Sequence, residues 1–146
     1  ILADDFLSCK GKGATSNLVE KFYKSGKMQL STIEVNGPDI SRYGVVKPGK
    51  LQRQVEGLIE KPEFHDAPSN LASIGRYILT ADIFEALRDC KPGSGGEIQL
   101  ADAINIFAGQ GLVECNPLDG KRFDCGSVRG FINATNHVAK KLLFDP

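Results

Sequence analysis

ILADDFL, residues 1–7, decides how the sequence is read: an apolar run gives way to two adjacent acids, Asp4 and Asp5. Residues 1–4 read as the end of a buried strand, which sets both carboxylates at a strand's carboxyl end. In an open α/β sheet, ligands sit beyond those ends. Outward from there, Thr15 or Ser16 can cap a helix running to about Lys24. Leu18, Val19, Phe22 and Tyr23 form its apolar face and Gly26 stops it. Strands are expected over 28–35, 43–46, 51–59, 71–79, 112–118 and 122–125. Asn36-Gly37-Pro38-Asp39 and Pro48-Gly49 are turn clusters. Helices are expected over 80–89 with Thr80 as cap, over 97–108, and from a Ser127 cap to about Leu143. In the second of these Ile98, Ala101, Ile104 and Ala108 share a face. Strands and helices alternate irregularly, which predicts an α/β fold of three layers around a mixed sheet. The rest of that sheet is expected before Ile1.

Composition narrows the function classes. The 146 residues suit one domain or part of one, and hydrophobic residues make up 41% of them, enough for a core. Lys and Arg number 18, as do Asp and Glu, so no bulk charge favours nucleic acid or an anionic membrane. No apolar run is long enough to span a bilayer. Cys9, Cys90, Cys115 and Cys125 form no C-x-x-C pair, and the two histidines, His65 and His137, lie far apart. A zinc site is poorly supported. Reduced cysteines and a cytoplasmic location are the better reading. Asn133-Ala134-Thr135 matches a glycosylation sequon but falls in an expected helix.

Five stretches can carry chemistry. Asp4 can hold a hard cation such as magnesium, which takes oxygen ligands and often only one or two from protein. Position alone favours a helix cap or a solvated acid. Asp124, between Phe123 and Cys125, is expected to be partly buried and so to need a partner: a metal, Arg122 or a backbone amide. Glu60 and Lys61 end a strand at Pro62. In a strict strand they point to opposite faces, although a kink at the proline would let both reach one pocket. Glutamate suits sugar hydroxyls and lysine suits phosphate, whereas an exposed ion pair is the plainer reading. Gly44, inside a strand, marks either a bulge or the close approach of a ligand. The loop KPGSGGE, 91–97, invites a phosphate-cradle reading. It lacks the G-K-[ST] ending, and Glu97 repels an anion, so a helix-joining turn is favoured.

In order, ILADDFL, RYGVV, LIEKP, APSNLASIGRYIL, GGEIQLADAI and KRFDCGS resemble the corresponding stretches of bacterial UTP–glucose-1-phosphate uridylyltransferases, over nearly the whole chain. The resemblance implies a Rossmann-like nucleotidyltransferase fold. It implies an enzyme of carbohydrate metabolism that transfers a uridylyl group from UTP to glucose 1-phosphate, giving UDP-glucose and pyrophosphate. It assigns Mg2+ to Asp4 and Asp124. Gly44 would offer backbone to the glucose hydroxyls, Glu60 would accept from them, and Lys61 would be catalytic by neutralising phosphates. Asn70, Gly75 and Arg76 lie in a family motif without an assigned role. Ala3 stands where the family often has proline.

In that family the glycine-rich triphosphate loop and the uracil-recognising residues precede the Asp4 stretch, and they are not in this sequence. Residues 1–146 are therefore expected to be the sugar-phosphate and metal portion of a single nucleotidyltransferase domain, inactive alone and part of a homo-oligomer. Three other readings stay open: a thymidylyltransferase or other sugar-1-phosphate nucleotidyltransferase, a non-catalytic fragment, and an inactive sugar-phosphate binding protein.

Overall fold

A computed structural model describes residues 1–93 and 96–144. The element order is β1 (Asp5–Cys9), α1 (Ala14–Ser25), β2 (Met28–Glu34), β3 (Gly44–Pro48), β4 (Val55–Glu60), β5 (Leu71–Ile78), α2 (Ile83–Asp89), α3 (Leu100–Ala108), β6 (Val113–Pro117), β7 (Gly120–Asp124) and α4 (Val128–Phe144), with 3-10 turns at Pro38–Arg42 and Phe64–Asp66. Five strands form one sheet in the order β4-β3-β5-β2-β6. β2 and β6 run parallel and the other pairs antiparallel, so the sheet is mixed, as expected. β1 and β7 form a separate antiparallel ribbon in which Asp5 lies opposite Asp124.

Both faces of the sheet are covered. Val45 and Val46, neighbours in β3, are each fully buried and belong to different clusters. Successive strand side chains point to opposite faces, so Val46 packs with Ile83, Ala101, Ile104 and Ala108 of α2 and α3 on one side. Val45 packs with Ile40 and Ala72 on the other. α1 rests on β2 and β5. Its C-terminus is closed as expected: Gly26 takes a left-handed φ of 68° and donates its N–H to the Phe22 carbonyl at 2.7 Å. Among the described residues no helix is long and apolar enough to cross a membrane.

Several boundaries differ from expectation. Residues 1–4 are not a strand end. The strand begins at Asp5, so Asp4 and Asp5 stand at the amino end of β1, and it is Asp5–Cys9 that finds a pairing partner in β7. α1 starts from Gly13 without a side-chain cap, and Tyr23 is 82% exposed, outside the apolar face. Residues 51–54 are a turn: Gly49 N–H bonds the Gln54 carbonyl, Gln54 N–H bonds that of Leu51, and Arg53 takes a φ of 67°. β4 thus begins only at Val55. α2 begins after Asp82, because residues 83–85 bond three residues back in a tight turn from Thr80. α3 begins at Leu100, since the Glu97 carbonyl is taken by Gly93 N–H and closes the preceding turn, leaving Ile98 exposed. Of the KPGSGGE loop, Ser94 and Gly95 lie outside the described residues. The Ser127 hydroxyl accepts the Gly130 N–H at 3.1 Å, the expected start of α4.

Candidate active site

A cleft of about 370 Å³ opens between the β1–β7 ribbon, the β3–β4–β5 part of the sheet and the start of α3. Asp4, Gly44, Glu60, Lys61 and Asp124 all line it. Two further grooves, of about 700 and 650 Å³, contain none of the five. Size therefore does not single out the cleft; the convergence of these side chains does.

Its sheet wall is built by a hairpin. Gly44 faces Glu60 across the β3–β4 ladder, and Lys61 N–H donates to the Tyr43 carbonyl at 3.0 Å. A Cβ on Gly44 would lie 3.0 Å from Glu60 Oε2, so glycine leaves room for that carboxylate. The kink that brings Glu60 and Lys61 to one cavity is at Lys61 itself, whose φ is +46°, rather than at Pro62. This left-handed turn breaks the strand's alternation of faces. Lys61 Nζ lies 3.9 Å from Glu60 Oε1, and their side chains are 67% and 34% exposed. A pair so solvated and so long contributes little to stability, which leaves the ammonium free to meet an anion.

The opposite wall carries two carboxylates. Asp4 is exposed in the turn before β1, and Asp124 is half-buried at the end of β7. One point lies between them. A Cβ on Gly126 would stand 3.1 Å from Asp4 Oδ2 and 3.2 Å from Asp124 Oδ1, and glycine keeps that space clear. Gly126 N–H donates to Asp124 Oδ1 at 3.2 Å, and Arg42 Nη2 lies 3.7 Å from Asp124 Oδ2. Among the described residues no group of three or more Asp, Glu, His or Cys side chains is placed to hold a metal. A two-carboxylate oxygen donor set suits magnesium, which commonly completes its shell with water and substrate phosphate. Asp4 and Asp124 fit that role.

The sequence reading missed the residue that fixes the site. Asp5 is the buried acid of the pair, 4% exposed. Its Oδ2 accepts the Gly75 N–H at 2.7 Å, and its Oδ1 accepts from Arg122 Nε at 2.5 Å. Arg122 therefore pairs with Asp5 and not with Asp124, contrary to one expectation. The two arginine-to-acid choices could not be told apart without knowing that β7 pairs with β1. Gly75 also gains a role. The β2–β5 ladder is irregular between Leu30 and Ser31, which face Tyr77 and Ile74, so Gly75 and Arg76 are left over in a bulge. Released from the ladder, Gly75 receives Asp5 and accepts the Leu2 N–H at 2.9 Å. A Cβ there would come within 2.5 Å of Leu2 Cβ. Arg76 clamps the same junction, donating to the Asp5 carbonyl at 2.9 Å. Asn70 lies apart, its side-chain nitrogen 3.4 Å from Asn36 Oδ1.

Tyr77 closes the cleft floor within reach of Ser73, 3.5 Å away. Burial pushes its phenol above the usual value near 10, and the Glu60 and Asp5 carboxylates push it the same way. The cleft thus presents a neutral hydroxyl on its floor, two carboxylates on one wall, and a carboxylate with a lysine on the other.

The sequence profile described as nucleotidyl transferase matches residues 1–141. A UTP–glucose-1-phosphate uridylyltransferase of Pseudomonas aeruginosa is 41% identical over 140 residues, which cover 93% of this chain and 50% of that relative. A solved apo structure of a UDP-glucose pyrophosphorylase superposes with a TM-score of 0.90 at 40% identity, over 98% of this chain and 54% of the other. A second, solved in complex with UDP-glucose, gives a TM-score of 0.88 at 40% identity, over 97% and 55%. The chain spans about half the length of the curated relatives it matches. With that match running through both walls of the cleft, the chain belongs to the nucleotidyl transferase family.

Proposed function

We propose that this chain forms the sugar-phosphate and metal side of the active site of a UTP–glucose-1-phosphate uridylyltransferase. The supporting observation is the convergence of Asp4 and Asp124 on one wall and Gly44, Glu60 and Lys61 on the other wall of a single cleft. The names of the relatives that share this chain point to the same substrates.

The chemistry is displacement at the α-phosphorus of UTP: the phosphate oxygen of glucose 1-phosphate forms the new bond, the bond between the α-phosphorus and the bridging oxygen to the β-phosphate breaks, and pyrophosphate leaves. No protein nucleophile is needed, and catalysis is positioning plus charge neutralisation. Glu60 accepts hydrogen bonds from glucose hydroxyls, and the glycine at 44 lets the sugar approach the backbone. Lys61 offsets the repulsion between two anionic substrates. Asp4 and Asp124 would hold magnesium, which when bound neutralises phosphate charge. The free state of all four cysteines favours a reducing, cytoplasmic setting. Exposed Val128, Phe131, Leu142 and Leu143 along α4 favour burial against further protein, in keeping with a homo-oligomer.

Calorimetric titration tests the assignment. Glucose 1-phosphate should bind residues 1–146 in the presence of Mg2+, and Glu60→Gln should weaken it at least tenfold, the scale of one hydrogen bond to a charged group. UTP should bind these residues more weakly than glucose 1-phosphate. The reverse order would place the cleft on the nucleotide side.

A further inference from the structure

Arg122 touches both halves of the cleft. Its side chain is 15% exposed and its acid partner Asp5 is more deeply buried, so the pair is largely removed from water. Through Nη1 the same guanidinium donates to the Tyr43 hydroxyl at 2.9 Å, and its carbon stands 5.1 Å from the centre of the Tyr43 ring. Tyr43 then reaches the substrate wall in two ways. Its carbonyl accepts the Lys61 N–H, and it directly precedes Gly44. Lys61 sits at a φ of +46°, a conformation that persists in a non-glycine residue only where its surroundings enforce it. At its other end Arg122 lies two residues before Asp124 in β7, on the same face of that strand.

We propose that Arg122 is a positioning residue: acting through the Tyr43 hydroxyl, it sets the spacing between the Asp4–Asp124 wall and the Gly44–Glu60–Lys61 wall. The inference rests on the sugar-phosphate reading of the cleft. A residue that only anchored β7 would need its bond to Asp5 and nothing more. The planar fork of arginine reaches Asp5 and Tyr43 at once, whereas the point charge of lysine serves one of them.

The test uses Arg122→Lys, Tyr43→Phe and the double variant, with glucose 1-phosphate and Mg2+ as probes in calorimetry and thermal unfolding as the structural control. Tyr43→Phe leaves the Asp5–Arg122 pair and the aromatic ring in place. Both single variants should melt within a few degrees of the unaltered protein and bind glucose 1-phosphate about three- to tenfold more weakly, the scale of one lost hydrogen bond. The double variant should be no worse than the more affected single, because both changes remove one strut. Unaltered affinity in Tyr43→Phe, or losses that multiply in the double variant, would overturn the proposal. Should Arg122→Lys fail to fold, Tyr43→Phe carries the same criterion alone. UDP-glucose synthesis by the native gene product separates the two readings. Variants that lose affinity while the native gene product makes no UDP-glucose uphold the strut and overturn the uridylyltransferase reading. Synthesis with affinities unmoved by the variants overturns the strut alone. An unaltered protein that does not bind glucose 1-phosphate overturns both.

Discussion

Gly44→Ala separates the proposed sugar-binding role of the β3–β4 hairpin from its structural role. The backbone there is not left-handed, so alanine is conformationally allowed. The added methyl would meet Glu60 Oε2 at 3.0 Å and Leu58 Cγ at 3.5 Å, of which only the first is tight. Glu60 is about one-third exposed and can swing outward. Relief of that contact is cheap, and replacing glycine in a strand regains about 0.5–1 kcal/mol. The two effects nearly cancel, and the unfolding midpoint should move by no more than a few degrees. Sugar binding should suffer far more. A displaced Glu60 loses a charge-assisted hydrogen bond of about 1.5–3 kcal/mol, which is roughly ten- to a hundredfold in affinity. Calorimetry with glucose 1-phosphate, run beside thermal unfolding, reads both quantities on one sample. Wild-type affinity in a normally folded Gly44→Ala protein would show that Glu60 does not hold the sugar. A large drop in midpoint would show that Glu60 is held rigidly.

Three other perturbations follow from the same geometry. Gly126→Ala should weaken Mg2+ binding about tenfold at unchanged far-UV dichroism, because the methyl enters the space between Asp4 Oδ2 and Asp124 Oδ1; unchanged affinity would separate the two acids from the metal. Asp5→Asn leaves Arg122 without its counter-charge in a buried setting and should cost about 3 kcal/mol, or roughly 10 °C in midpoint; an unmoved midpoint would show that the buried Asp5–Arg122 pair does not stabilise the fold. Tyr77 has a folded pKa raised above the ordinary 10.0, so its contribution is complete below pH 10 and is lost as pH rises toward the folded value, where the unfolded chain releases a proton that the native state retains. Tyr77→Phe should therefore flatten the alkaline fall in unfolding midpoint, and an identical fall in both proteins would rule the phenol out.

What the sequence shows plainly is what local chemistry dictates. Gly26 as a helix stop, β2 as a strand with β-branched residues near its end and Ser127 as a cap are each decided by a few adjacent residues, and each stands as read. Glu60 and Lys61 were legible as a strand end because charge and proline coincide there, and Gly44 as a glycine inside a strand, but not the pairing that sets Gly44 opposite Glu60. The errors share one cause. Asp4 and Asp5 look equivalent in ILADDFL, and only the pairing of β1 with β7 and the bulge at Gly75 separate an exposed carboxylate from a buried strut. Arg122 beside Asp124 likewise suggests a local pair, yet its partner lies far away in sequence. Leu51 and Ile98 have strand and helix periodicity, but turn hydrogen bonds at Gln54 and Glu97 claim the backbone first. Non-local pairing and backbone competition leave little trace in a single sequence.

The most direct test of the central claim is a crystal structure of this protein with glucose 1-phosphate and Mg2+. The sugar should lie against Gly44 and Glu60 with its phosphate at Lys61, and Asp4 and Asp124 should share one cation. Sugar bound outside this cleft, or a cation held elsewhere while both aspartates stay free, would contradict it.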